Sequence, residues 1–366
     1  MRDNAAASVS TALFSHLSGL IDSAGGWLPF DRCMEALLYT PGLGYYARDD
    51  RQFGPLPGGG SDFVTAPELS PLFGQALAVQ LAQALEATGT DEIWEFGAGS
   101  GALARQLLQA LGSRVRGYHI VDLSAVLRQR QARTLAGWAD RVQWHDRLPE
   151  RFGGVVVGNE VLDAMPVQLL HFDGTHWFER GVTLDGARLQ WADRPTALRP
   201  PGDAGRLLPG TVTEIHPQAE AFVRTLAARL ERGAAFFVDY GFPEHEYYHP
   251  QRQGGTLMAH RAHVADTEVL ADPGTRDITA HVNFSAVALA AQDAGLAVLG
   301  YTSQGRFLIN CGLPALMAAA DVRAQVQAQP LILEHEMGEL FKVIGLAAGG
   351  GFEALGFASG DRSHTL

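Results

Sequence analysis

The segment Ile93-Trp94-Glu95-Phe96-Gly97-Ala98-Gly99-Ser100-Gly101 constrains this chain more than any other. A short apolar run ends in three alternate glycines, and a helical pattern over residues 102–111 begins at once. Glycine lets the backbone bend tightly and lets a ligand come close to the main chain. A helix starting there points free N–H groups at whatever occupies the turn. The rhythm continues downstream. Residues 117–123 read as a strand and 124–135 as a helix behind a Ser124 cap. Residues 142–145 and 155–158 read as further strands. Strand and helix in alternation demand a parallel sheet with crossover helices, an α/β fold.

The flanks read differently. Leu13, Leu17, Leu20 and Ile21 recur at helical spacing, and residues 30–39 form a second helix stopped by Pro41-Gly42. Residues 54–60 are a glycine-proline loop, and Ser70-Pro71 opens a long apolar helix to about residue 85. Residues 167–210 alternate around turn signals and are expected to be β-hairpins. A helix over 217–232 and a buried strand over 234–239 follow, then a Gly/Pro/His-rich, lid-like stretch over 242–282. A helix over 284–294 and strands over 296–302 and 341–346 complete the pattern. The expected division is an N-terminal helical cap (1–70), a core (71–347) with insertions at 167–210 and 242–282, and a flexible tail (348–366).

Composition narrows the partners. Hydrophobic residues are 46% and charged residues 19%, which excludes a disordered chain. A net charge of −12 disfavours nucleic acid and anionic membrane, and leaves room for a cationic partner. No stretch reaches the roughly 18 apolar residues of a membrane span. The N-terminus lacks the pattern of a secretory or transit leader, so a cytoplasmic protein is expected. Cys33 and Cys311 are too few for a disulfide framework or a zinc cluster. His245-Glu246-Tyr247-Tyr248-His249 matches H-E-x-x-H, but Pro243 and Pro250 bracket it, and a solvated loop is the better reading. No metal is expected.

Two nucleotides compete for the glycine turn. Gly97-x-Gly99-x-x-Ala102 satisfies a relaxed dinucleotide fingerprint, so NAD stays open. Glu95 favours S-adenosyl-L-methionine: a carboxylate two residues before the first glycine suits a cationic α-amino group and repels a pyrophosphate. Asp122 lies 21 residues after Gly101, a spacing that suits ribose hydroxyls. Asp146, after the third strand, could meet the adenine amino group. The cofactor-binding set is therefore Glu95, Gly97, Gly99, Gly101, Asp122, Leu123, Asp146 and Asn159. Glu160 and Asp163 follow a buried strand at the sheet edge where open α/β folds bind ligands, though acids there also stabilise a helix start. Asp62 and Glu68 are similar candidates, although each alone is more often a cap than a catalyst, and Asp239 reaches the same edge.

The chain resembles the MidA-like family over nearly its whole length. The resemblance rests on Pro41-x-x-Gly44-Tyr45-Tyr46, on Ser61-Asp62-Phe63-Val64-Thr65-Ala66-Pro67-Glu68-Leu69-Ser70 and on Glu95-x-Gly97-x-Gly99-x-Gly101. It continues through Asn159-Glu160-x-x-Asp163-Ala164-x-Pro166-Val167, Asp239-Tyr240-Gly241 and Pro273-Gly274-x-x-Asp277-Ile278-Thr279-Ala280-His281-Val282. Ser100 stands where the family often has Arg, Asp122 where Glu is usual, and Asn283 where Asp is usual. The resemblance implies a class I, Rossmann-like, seven-stranded methyltransferase fold with N-terminal helices and inserted segments. It implies S-adenosyl-L-methionine as cofactor and methyl transfer to an arginine of a respiratory complex I-type subunit. Two cations must then meet, sulfonium and guanidinium, which calls for carboxylates. Glu160 and Asp163 are the expected pair, with Asp62 or Glu68 as a third.

Overall fold

The computed structural model of the chain describes residues 2–48, 64–202, 207–261 and 264–366. Its centre is a seven-stranded sheet: β1 (Glu92–Phe96), β2 (Gly117–Val121), β3 (Val142–His145), β4 (Phe152–Asn159), β5 (Leu230–Phe242), β6 (Ala297–Ser303) and β7 (Phe341–Ala348). The strand order is β6-β7-β5-β4-β1-β2-β3. The two-residue strand Val282–Asn283 adds a short parallel pairing to the end of β5.

Period-two alternation explains the layers. Along β4, Val155 and Val157 face the core beneath the Pro71–Thr88 and Ala102–Leu111 helices. Val156, between them, faces the core beneath the Pro217–Arg229 and Phe284–Asp293 helices. Strands buried on both faces read as continuous apolar runs, as residues 155–157 of β4 and 343–348 of β7 do. One strand departs from the expected parallel sheet: β7 runs antiparallel to both neighbours, β5 and β6. Its helical lead-in, Met337–Leu340, delivers it from the opposite end.

Three segments far apart in sequence share a further core. Leu13, Leu17 and Ile21 of the N-terminal helix and Leu37 and Leu38 of the Phe30–Tyr39 helix pack with Leu169 and Val182 of the 167–210 insertion. Ala259 and Ile278 of the 242–282 insertion join them. The expected hairpins form a five-stranded sheet with Leu28–Pro29 as a member. The 242–282 stretch is not a plain loop: Val264–Asp266, Met258–Arg261 and Asp277–Thr279 form a three-stranded sheet. The buried Glu214 carboxylate anchors it, accepting from the Thr256 and Leu257 amides at 2.8 and 3.0 Å and from the Tyr247 hydroxyl at 2.9 Å.

The tail also differs from the loose segment its glycines suggested. Phe357 is buried and fills the space that a Cβ at Gly300 or Gly345 would need. Asp361 accepts from the Tyr301 amide at 2.9 Å, and Arg362 forks onto Glu339 at 2.6 and 3.1 Å. Long-range partners hold a segment whose local composition favours none.

Candidate active site

Strand order reverses between β1 and β4, and that switch point opens a crevice at their C-terminal ends. A cavity of about 460 Å³ lies there. The glycine turn forms its floor. Gly97, Gly99 and Gly101 take φ values of 61°, 52° and 83°, a region that side chains with a Cβ rarely visit. Gly101 then caps the Ala102–Leu111 helix. Glu95, at the end of β1, is buried and accepts from the Tyr118 hydroxyl at 2.6 Å. Burial pushes its carboxyl up to about 8, against the pull of that hydrogen bond. Asp122, after β2, accepts from the Ser124 amide at 2.9 Å and from Gln131 Nε2 at 2.7 Å. Burial still raises its carboxyl above the usual range.

The turn after β4 carries the acids. Glu160 is held at φ 54°, which costs a non-glycine residue roughly 1–3 kcal/mol. Its amide donates to the Val238 carbonyl at 2.9 Å, which fixes the strained bend. Asp239 fixes the rest: one oxygen accepts from the Val161, Leu162 and Asp163 amides at 3.0, 2.8 and 3.3 Å. This carboxylate therefore organises the turn. Burial pushes Glu160 up to about 8, with Asp163 adding to the rise, and pushes Asp163 up to about 6. Asn159 Oδ1 and Asp163 Oδ1 are buried without a hydrogen-bond partner, a costly state.

The remaining wall comes from outside the sheet edge. Tyr39 donates to the Ala164 carbonyl at 2.9 Å, and Tyr46 donates to Asp277 Oδ1 at 2.7 Å. Tyr240 lines the cavity beside Asp163 and meets His281 edge-on, and burial pushes His281 down to about 4, so it faces the cavity uncharged at neutral pH.

Of the residues singled out from sequence, Glu68, Glu95, Gly97, Gly99, Asp122, Asn159, Glu160 and Asp163 converge on this cavity. Gly101 caps the following helix and does not itself line the cavity. Leu123, past the end of β2, is 76% exposed, and Asp146 is exposed beyond β3; neither lines the cavity. Asp62 lies outside the described residues. Glu68 receives the Ser100 hydroxyl, so the position where the family often has Arg ties this acid to the glycine turn. Asn283 caps the Phe284–Asp293 helix, accepting from the Ala286 amide at 3.1 Å. Tyr39, Tyr46, Tyr240, Asp277 and His281 were not among the candidates, although all but Tyr39 sit in the quoted motifs. Gln131, fully buried, bridges Asp122 and the Gly99 carbonyl; a lone Gln in a helical pattern gives no signal of that. Among the described residues there is no cluster of His, Cys, Asp and Glu that could hold a metal ion, and His245 and His249 are exposed.

Residues 76–302 match the S-adenosyl-L-methionine-dependent methyltransferase family. The chain belongs to that family. This methyltransferase is 53% identical to a Burkholderia thailandensis protein crystallised with S-adenosyl-homocysteine, with TM-score 0.94 over 99% of this chain and 98% of that one. It is 27% identical to a zebrafish (Danio rerio) relative named protein arginine methyltransferase NDUFAF7, mitochondrial, over 93% of this chain and 88% of the relative. A Drosophila melanogaster relative named as the mitochondrial homolog is 29% identical, over 77% and 71%. S-adenosyl-L-methionine is the cofactor, and NAD is set aside. The residues present fit it: a glycine-floored crevice and an acid at the end of each of the first two strands. The cytoplasmic expectation does not stand, since these curated relatives are named as mitochondrial proteins. Among the described residues no helix is long and apolar enough to cross a membrane.

Proposed function

We propose that this methyltransferase acts on the guanidinium of an arginine in a protein substrate, with a subunit of a respiratory complex I-type assembly as acceptor. One observation carries the reading. Glu68, Glu95, Asp122, Glu160, Asp163 and Asp277 all line a single cavity, and no Lys or Arg among the described residues does. Such a site attracts cations and repels anionic or phosphorylated acceptors. The names of the relatives and the family resemblance point to the same acceptor class.

The acids divide by position. Glu95 takes the α-amino group of the cofactor, Asp122 its ribose hydroxyls, and the Gly97–Gly101 backbone approaches its methionyl part, with Asn159 beside them. Bound there, the cofactor supplies an electrophilic methyl group on a sulfonium. Glu160 and Asp163 remain for the acceptor. Carboxylates meeting a planar guanidinium through paired hydrogen bonds fix which nitrogen faces the methyl. Alignment of this kind contributes on the order of 7–11 kcal/mol to catalysis. The elevated Glu160 carboxyl has a second use. The methylated guanidinium must shed one proton to return to a single positive charge, and an ionised group near 8 accepts it readily.

The test is mass spectrometry of the respiratory complex from cells with the gene, without it, and with Glu160→Gln. Loss of a methyl-arginine in both altered strains is the expected result. An unchanged methyl-arginine pattern without the gene removes that acceptor.

A further inference from the structure

The interior of the cavity is acidic, but its mouth is apolar. Leu340 ends the helical lead-in Met337–Leu340 to β7, lines the cavity and is 48% exposed. Tyr39 of the Phe30–Tyr39 helix also lines the cavity and is 36% exposed, with its hydroxyl held on the Ala164 carbonyl. Next to Leu340 comes Leu333, 49% exposed. The turn between them is tight: the Glu336 and Gly338 amides both donate to the Leu333 carbonyl, at 3.1 and 3.0 Å. A Cβ at Gly338 would strike the Ile332 and Leu333 backbone, so this close approach needs glycine. The helix that precedes the turn, Val322–Ala328, exposes Val322 and Val326, one helical turn apart. Single exposed apolar side chains need no explanation; a cluster of them beside a cavity does. The charges nearby are negative. Glu334 and Glu336 are exposed on the same turn, while Glu339 is paired with Lys342 and Arg362.

We propose that Leu340 and Leu333 form a landing for the polypeptide on either side of the acceptor arginine, selecting a segment with an apolar residue next to that arginine and no acids around it. The landing rests on the arginine reading and names the class of sequence that the site accepts. An arginine whose guanidinium reaches Glu160 and Asp163 carries its methylene stem and its backbone through the mouth, past Leu340 and Tyr39. The residue beside it in the chain then meets the exposed leucines. Covering them removes apolar surface from water on both partners, and that gain is open to a polypeptide and closed to a small guanidine. Glu334 and Glu336 repel a flanking acid and attract a flanking base, which matches a cationic segment to a chain of net charge −12. The acids inside the cavity thus read the arginine head, and the leucines at the mouth read its neighbours.

The test uses the full-length protein saturated with S-adenosyl-homocysteine and calorimetric titration of acetylated tripeptide amides. Three carry a central arginine flanked by leucine, glycine or glutamate on both sides; a fourth carries citrulline between glycines. The wild type is expected to bind the arginine-glycine probe more tightly than the citrulline probe. Leucine flanks should improve on glycine flanks by roughly threefold to tenfold, the scale of covering a half-exposed leucine. Glutamate flanks should bind more weakly than glycine flanks. The double variant Leu333→Ser, Leu340→Ser should bring the leucine and glycine probes to within about twofold of each other, with affinity for S-adenosyl-homocysteine within about twofold of the wild type. Leu340→Met keeps an apolar side chain there and should retain most of the leucine advantage. If the wild type does not prefer arginine to citrulline, the arginine reading falls and takes this proposal with it. If it prefers arginine but binds leucine and glycine flanks equally, the arginine reading survives and the landing is overturned. A leucine advantage that persists in the double variant, or glutamate flanks that bind as tightly as leucine flanks, overturns the landing as well. Equal losses for both arginine probes and S-adenosyl-homocysteine in the double variant assign the two leucines to structure alone and overturn the proposal.

Discussion

The cavity has two halves that are built in different ways. The half around the glycine turn is local. Glu95, Gly97, Gly99 and Gly101 lie within seven consecutive residues, and Asp122 ends the adjacent strand. The half facing it is assembled over long distances. Tyr39 reaches Ala164 across 125 residues, and Tyr46 reaches Asp277 across 231. Backbone conformation and strand register set the first half; packing of cap and insertions on the sheet sets the second. On the proposed division, the local half holds the cofactor, which is common to many methyltransferases and can be met by a compact cassette. The proposed acceptor half lies where loops and insertions vary.

Perturbing one half at a time tests whether they are separable. On the role proposed for Glu160, Glu160→Gln should lower turnover by about a thousandfold or more, because it removes the charge assigned to the acceptor. Calorimetry should find its cofactor affinity within about twofold of the wild type; a matching loss there means the halves are not independent. Next comes the joint between them. Asp239→Ala leaves three turn amides without their acceptor and should cost about 3 kcal/mol of stability in urea unfolding. An unchanged midpoint contradicts the role of Asp239 as organiser of the 160–163 bend.

The remaining tests concern the cofactor half alone. Gly97→Ala places a Cβ at φ 61° and 3.2 Å from Val161 Cγ2, and should weaken cofactor binding by roughly tenfold to thirtyfold. The pH test is gentler. A Glu95 carboxyl near 8 must lose its proton to meet an ammonium, so cofactor affinity should rise up to about tenfold per pH unit between pH 6 and 8 and level off above. Titrations in two buffers of different ionisation enthalpy should count about one proton released; Glu95→Gln should abolish the slope. The same shift acts on the ligand-free fold with opposite effect. A carboxyl raised from 4.5 to about 8 stabilises the fold fully below about 4.5 and loses that contribution as pH climbs through 8. The melting temperature without cofactor should therefore fall from pH 5 to 8, and less steeply in Glu95→Gln. The smallest effect belongs to Ser100→Ala, which frees Glu68 and should change cofactor affinity by less than about threefold.

Much of the sheet could be read from the chain because its signals are local. The strand over 142–145 and the helices over 30–39 and 102–111 were read to the residue, since apolar periodicity, a Pro-Gly stop and a glycine turn mark them. The packed tail and the small sheet within 242–282 escaped for the opposite reason. Phe357 is held by Gly300 and Gly345, and the 256–257 backbone by Glu214, partners that no short window contains. Leu123 and Asp146 show the same limit within the site: both follow strands at the correct edge, but both are exposed and neither lines the cavity.

What the amino-acid order determined alone was the sheet, its glycine turn and the kinds of groups at the strand ends, because hydrogen bonding and steric allowance act between near neighbours. What only the tertiary structure decided was which acids share one volume, and which of them, like Asp239, are engaged by the backbone instead. Charges interact through space, and the distances that govern them exist only once cap, insertions and sheet have closed around a common interior.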